Sequence, residues 1–173
     1  MERFIPDMYQ KSIYTTDYSK LWLRGIKCLL FDLDNTLVPL SIKLPTEKNK
    51  ELFDNLKEMG FKIIIFSNAS KGRLKPFKDI LNVDCSYRSN KPFKKKYLRV
   101  LELYDYNIDE VAIIGDQLLT DILGGNRVGI TTILVNQVSI NDRMLTKFDR
   151  IIERYIIHRL RNKNLFTKGK YYE

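Results

Sequence analysis

Asp32 and Asp34 stand two residues apart in Phe31-Asp32-Leu33-Asp34-Asn35-Thr36, directly after the apolar run Ile26-Lys27-Cys28-Leu29-Leu30-Phe31. Side chains alternate along an extended chain, so the two carboxylates are expected to point the same way. Like charges held that close call for a cation between them, and a hard divalent metal such as Mg²⁺ suits carboxylate oxygens. A solvated turn rich in Asp and Asn has the same local composition, and this segment by itself leaves both readings open.

Three further polar clusters follow. The apolar run 62–66 ends in Ser67-Asn68, Lys91-Pro92 opens a helix after a polar stretch, and the run 111–114 ends in Gly115-Asp116-Gln117-Leu118-Leu119-Thr120-Asp121. Apolar runs without alternation belong to strands buried on both faces of a parallel sheet. In such a sheet the carboxyl ends of the strands converge on one crevice, so all four clusters are expected at a single edge.

The elements that would position them alternate regularly. Leu52, Phe53, Leu56 and Met59 recur at helical spacing over 45–59, with Gly60 closing the segment. A short helix is predicted over 72–81. A third runs over 92–106, with Pro92 in its first turn and Tyr97, Val100, Leu101 and Tyr104 on one face. A fourth is predicted over 117–123, and 131–135 reads as the last strand. The string Gly124-Gly125-Asn126-Arg127 with Gly129 reads locally as a helix stop and turn. Alternating strands and helices predict an α/β fold, a three-layer α/β/α sandwich around a central parallel sheet.

At 173 residues the chain has room for one well-buried core, so a single domain over 1–173 is expected, with its core over about 26–140. Residues 1–25 and the helix over 144–161 then count as extensions, the first packing around Trp22. In the second, Leu145, Phe148, Ile152, Tyr155, Ile156 and Leu160 fall at helical spacing among Lys147, Arg150, Arg154, Arg159 and Arg161. Such a basic amphipathic helix docks on its own sheet or lies on an anionic membrane. His158 stands alone on it and is expected to have no catalytic role.

No stretch approaches the ~20 apolar residues of a membrane-spanning helix, and no signal-peptide core stands near the N-terminus, which predicts a cytoplasmic protein. Cys28 and Cys85 lack metal-ligand spacing and read as reduced, packed thiols. The net charge of +9 favours anionic partners: phosphorylated substrates, anionic lipid surfaces or, less favoured here, nucleic acid. Lys71, Arg73, Lys75 and Lys78, then Lys91, Lys94, Lys95 and Lys96, flank the second and third clusters.

Taken in order, DLDNT, SN, KP and GDQLLTD resemble the four motifs of the haloacid dehalogenase-like (HAD) hydrolase superfamily over roughly residues 27–136. Thr120-Asp121-Ile122-Leu123-Gly124-Gly125-Asn126-Arg127, then Gly129 and Thr132-Ile133-Leu134-Val135, look similar to the YqeG-type branch of class IIIA phosphatases and to mitochondrial phosphatidylglycerophosphatases. The resemblance implies phosphomonoester hydrolysis through an aspartyl-phosphate on Asp32, with Asp34 as general acid then base. It implies Mg²⁺ held by the Asp32 carboxylate, the Asp34 main-chain carbonyl and the Asp116 carboxylate, with Asp121 behind them as a partner to the metal shell or to Lys91. Ser67 and Lys91 would steady the phosphoryl group, and Thr36, Asn68 and Arg127 would contribute to the loop or the substrate.

The spacing between motifs leaves no room for a cap domain in either place where the superfamily inserts one. An open site suits a large substrate, a lipid headgroup such as phosphatidylglycerophosphate, or an oligomer that supplies the cover. The competing readings are a phosphatase for nucleic-acid ends or soluble sugar and nucleotide phosphates, and a non-catalytic binding protein that keeps the fold.

Overall fold

The computed structural model describes residues 1–139 and 149–173, together with the helical backbone of 144–148. Six parallel strands form one sheet: β1 (Met8–Gln10), β2 (Cys28–Phe31), β3 (Lys62–Phe66), β4 (Asp84–Ser86), β5 (Val111–Gly115) and β6 (Thr131–Val135), in the spatial order β1-β6-β5-β2-β3-β4. From β2 the chain winds outward through β3 to β4, then returns to β5 on the other side of β2. The winding therefore reverses at β2, and a crevice opens beyond its carboxyl end.

The helices are α1 (Tyr18–Leu23), α2 (Glu47–Glu58), α3 (Lys71–Leu81), α4 (Lys94–Tyr104), α5 (Leu123–Val128) and α6 (Met144–Asn162). Thr46 caps α2, accepting from the Asn49 backbone while the Asn49 side chain accepts from the Thr46 backbone. One face of the sheet packs Leu29, Phe31, Ile63, Ile65 and Ile114 against Leu21, Phe53, Leu56, Leu74, Phe77 and Leu81 of α1, α2 and α3. The opposite face packs Cys28, Leu30, Ile64, Phe66 and Ile113 against Tyr97, Val100 and Leu101 of α4. The expected three layers are present, with alternate residues of each strand feeding opposite layers. Cys28 and Cys85 are free thiols whose burial pushes both up to about 12, so they stay protonated packing groups.

Several local expectations are corrected. Residues 8–10 are a strand, pairing with β6 as Met8↔Ile133 through Gln10↔Val135, and Tyr9 also bridges Tyr172. The N-terminal stretch is thus part of the sheet as well as packing at Trp22. Pro92 precedes α4, whose N-cap is Phe93. The region 117–123 divides into a π-helical turn, Leu118–Ile122, and the start of α5.

Gly124 and Gly125 lie inside α5 and stop nothing; a Cβ on Gly125 would come within 2.6 Å of Ile113 and Thr132, so bare backbone is what lets α5 sit down on the sheet. The stop is Gly129, at φ +98°. On α6, Ile156 and Leu160 bury against Tyr9, Leu118, Ile122 and Leu134. Ile152 and Tyr155 are exposed instead, and buried Glu153 takes a place on the inner face. The side chains of Leu145, Lys147 and Phe148 lie outside the described residues.

Candidate active site

Each expected cluster falls at the carboxyl edge of the sheet. Asp32 follows β2 and is held by its backbone N–H donating to Ile114 O on β5 at 2.9 Å. Ser67 follows β3, donates its N–H to Ser86 O at 3.0 Å, and is buried with its Oγ accepting from Ala69 N at 3.2 Å. Asp116 follows β5. Lys91 arrives from the loop between β4 and α4.

Lys91 is the hub. Its Nζ donates to Asp32 Oδ1 and to Asp121 Oδ1, both at 2.6 Å, with the side chain 2% exposed. Burial alone would lower its pKa, but Asp121 and Asp32 outweigh it and the net shift is upward, so the ammonium stays charged. The other oxygen of Asp121 accepts from Gln117 N at 3.2 Å. At Gly115 no side chain fits, since a Cβ would lie 2.2 Å from the Asp121 carboxyl carbon. Glycine there is what allows Asp121 to fold back over the end of β5.

One oxygen from each of Asp32, Asp116 and Asp121 lies within 4.8 Å of the others, which is a spacing a divalent cation can bridge. Asp116 Oδ1 accepts from Thr36 Oγ1 at 3.0 Å, and its Oδ2 and main-chain oxygen both accept from Arg150 of α6, the latter at 3.1 Å. Arg150 also pairs with Glu153 at 2.9 Å. Among the described residues, four buried carboxylates therefore share the two cations Lys91 and Arg150. Burial first, with Asp32 nearby, lifts the Asp116 carboxyl to about 7 against the pull of Arg150, and burial lifts Asp121 to about 6 against the pull of Lys91. Both partners in the Lys91–Asp121 pair thus shift upward: Lys91 because it has two carboxylates, Asp121 because it shares one ammonium in a dry site.

Asp34 has a cationic partner of its own. Alternation persists as far as Leu33, buried with Leu29 and Phe31, but Asp34 lies beyond the strand, ahead of Asn35 at φ +67°. Its Oδ1 accepts from Arg73 Nε and Nη2 of α3 at 3.0 and 2.8 Å, outside the Asp32–Asp116–Asp121 cluster. Thr36 meets Asp116 rather than open space. Asn68, expected to touch substrate, clamps the backbone of Lys91: its Oδ1 accepts from Lys91 N at 2.8 Å and its Nδ2 donates to Lys91 O at 3.1 Å. Arg127 donates to Pro92 O at 3.4 Å and is not in the cluster. His158 is exposed on α6 and touches Asn162, apart from all of these.

Arg73, Arg150 and Glu153 were not legible as site residues. In sequence they are ordinary charges on amphipathic helices, and nothing in their spacing relates them to Asp34 or Asp116.

The metal-free protein has a pH signature. In the unfolded chain Asp116 and Asp121 titrate near about 3.9. Between pH ~4 and ~7 the folded state therefore holds more protons, and their contribution to stability falls as pH rises through that window. A cation that binds the ionised carboxylates opposes the loss and must displace protons at lower pH. Mg²⁺ is expected to raise the melting temperature over an EDTA control by more at pH 8 than at pH 5.5. Equal increments in a thermal-shift series would refute this.

A parallel sheet reversing at β2, with an acid–lysine–acid cluster at its carboxyl edge, defines a doubly wound α/β protein with its candidate site at the switch point. A family model described as HAD-hydrolase-like matches residues 89–162. The chain is 39% identical over 160 residues, 92% of its own length and 93% of the relative's, to the probable phosphatase YqeG of Bacillus subtilis (strain 168). The chain belongs to the HAD-like phosphatases. Solved structures share the fold at low identity. A subfamily III A HAD hydrolase from Legionella pneumophila has a TM-score of 0.54 at 21% identity, covering 67% of this chain and 68% of that one. The D,D-heptose 1,7-bisphosphate phosphatase of B. bronchiseptica, solved with magnesium and phosphate, has a TM-score of 0.52 at 15% identity, covering 63% and 80%.

Proposed function

We propose that this phosphatase is Mg²⁺-dependent, works through a phosphorylated Asp32, and acts on a phosphomonoester carried by a large anionic lipid headgroup of the phosphatidylglycerophosphate kind. The observation that carries the reaction is the buried Asp32–Lys91–Asp121 chain beside Asp116. Magnesium on Asp32, Asp116 and the Asp34 carbonyl would supply positive charge and draw electron density from the phosphoryl oxygens. Asp121 is engaged by Lys91 and Gln117, which suits a supporting place rather than a ligand's.

In the first half-reaction a carboxylate oxygen of Asp32 attacks phosphorus. The ester P–O bond breaks, and the leaving alkoxide takes a proton from Asp34. In the second, Asp34 takes a proton from water as that water attacks phosphorus, the acyl–phosphate bond breaks, and phosphate leaves with Asp32 restored. Ser67 and Lys91 face the charge that gathers on the phosphoryl oxygens. Both Arg73 donors converge on one oxygen of Asp34, which would hold that carboxylate in place for the proton transfers. Thr36 and Arg150 orient Asp116, and Asn68 orients Lys91.

The substrate reading is supported by the rim. No cap stands between β2 and β3 or between β3 and Lys91, and no described helix is long and apolar enough to cross a membrane. Ile42, Leu44, Phe93 and Val138 are exposed on loops tied to the site. Ile42 O accepts from Arg73, Val138 N donates to Asn35 O at 2.8 Å, and Phe93 follows Lys91 by two residues. Lys43 and Lys94 are interleaved with them, as suits an anionic interface where each basic residue adds about 1 kcal/mol. The membrane face would then be this rim rather than α6, whose Arg150 and Glu153 point to Asp116 and whose Ile156 and Leu160 enter the core.

The test is phosphate release from an aryl phosphate, glycerol 3-phosphate and phosphatidylglycerophosphate in vesicles, with Mg²⁺ or EDTA. EDTA is expected to abolish all turnover, and kcat/KM should be highest on the lipid. Metal-independent turnover overturns the mechanism; a preference for short soluble phosphates overturns the lipid assignment.

A further inference from the structure

Beside the reaction site lies a cleft of about 610 Å³ lined by Asn68, Ser89, Asn90, Lys91, Phe93, Lys95, Lys96 and Arg99. Asn68 and Lys91, whose backbone Asn68 clamps, line one part of it and α4 residues the rest, so the cleft runs from the segment that carries the catalytic lysine out along α4. Lys91 is neutralised by Asp32 and Asp121. Lys95, Lys96 and Arg99 are not: none of the three has a carboxylate within ion-pairing distance among the described residues, whereas Lys57, Lys62 and Lys75 each have one. The Lys96 Nζ lies 5.9 Å from the ring centre of Tyr87, which lines the neighbouring groove. Lys96 and Arg99 also line a second groove of about 250 Å³ along β4, with Tyr87, Leu103 and Tyr104. Phe93 stands 66% exposed at the mouth of the first cleft.

Three cations with no carboxylate partner among the described residues, on the helix that follows the catalytic lysine, make the outer part of this cleft positive. A simple alcohol has no use for that charge. We infer that this cleft is a subsite for a second phosphate-type anion on the leaving portion of the substrate, held by Lys95, Lys96 and Arg99. The inference rests on the phosphatase reading and narrows it: the preferred substrate is a phosphomonoester whose alcohol carries a phosphodiester or a second phosphate. Arg99 supplies a planar fork suited to two phosphate oxygens, and the two lysines supply point charges around it.

The experiment compares full-length wild type with the K95A/K96A/R99A variant on p-nitrophenyl phosphate, on water-soluble glycerophosphoglycerol phosphate, and on phosphatidylglycerophosphate in vesicles. Lys95 and Arg99 are exposed and Lys96 half-buried, so the variant is expected to fold, with its aryl phosphate turnover as the check. Expected is a KM raised tenfold or more on both doubly anionic substrates, with kcat little changed and kcat/KM on the aryl phosphate within twofold of wild type. An equal loss on all three substrates, or no loss on any, overturns the subsite. A loss confined to vesicles means that the three residues act by adsorption to the membrane, and this too overturns it. If wild type hydrolyses none of the three, the phosphatase reading itself fails and the subsite falls with it; aryl phosphate turnover by wild type separates the two failures.

Discussion

Asp32→Asn is expected to lower phosphate release by a factor on the order of 10⁴ to 10⁶, the scale seen when a covalent nucleophile is removed, while leaving the protein folded. Asparagine keeps an oxygen where Lys91 Nζ donates at 2.6 Å, so that hydrogen bond survives. The substitution also removes one of the carboxylates that share Lys91 and Arg150, which relieves repulsion among them. The melting temperature of the metal-free variant should therefore equal or exceed that of wild type. The measurement is single-turnover phosphate release with acid-quench trapping of phosphorylated protein, alongside calorimetry. Undiminished turnover by a folded Asp32→Asn protein would remove Asp32 from the mechanism.

Lys91→Met should act in the opposite sense on stability. The side chain is 2% exposed and sits between two buried carboxylates, Asp32 and Asp121. Removing one partner of a buried ionic group typically costs about 3–5 kcal/mol, because the remaining charge is left unpaired. For a domain of this size that corresponds to a fall in melting temperature of roughly 6–20 °C. Activity should be lost with it, since no other cation among the described residues contacts Asp32. Adding Asp121→Asn to Lys91→Met should recover much of the stability and none of the activity. If the double variant melts no higher than the single one, the unpaired charge is not the source of the loss.

Most of the chemistry was written in local segments. Apolar runs that end in Asp32, Ser67 and Asp116 are strand ends, and a parallel sheet brings its carboxyl ends together, so the ordered motifs were enough to place Asp32, Ser67, Lys91 and Asp116 at one edge. The helix of the 45–59 segment was legible for a similar reason: its apolar face repeats at helical spacing within a single window. The strand at Met8–Gln10 was not, because three residues are too few to show a period, and it exists only through its pairing with β6.

What tertiary structure alone decided is the partner of each acid. Asp34 and Arg73 are 39 residues apart and Asp116 and Arg150 are 34 apart, on different elements. A basic residue on an amphipathic helix looks the same in sequence whether it faces solvent or a buried carboxylate. The same holds for Asn68 and Thr36, whose side chains turned inward to hold Lys91 and Asp116. Residue type and local spacing set which groups could react. The crossing of α3 and α6 over the sheet edge set which charges they meet, since ion pairing depends on distance through space and leaves no trace in the order of the chain.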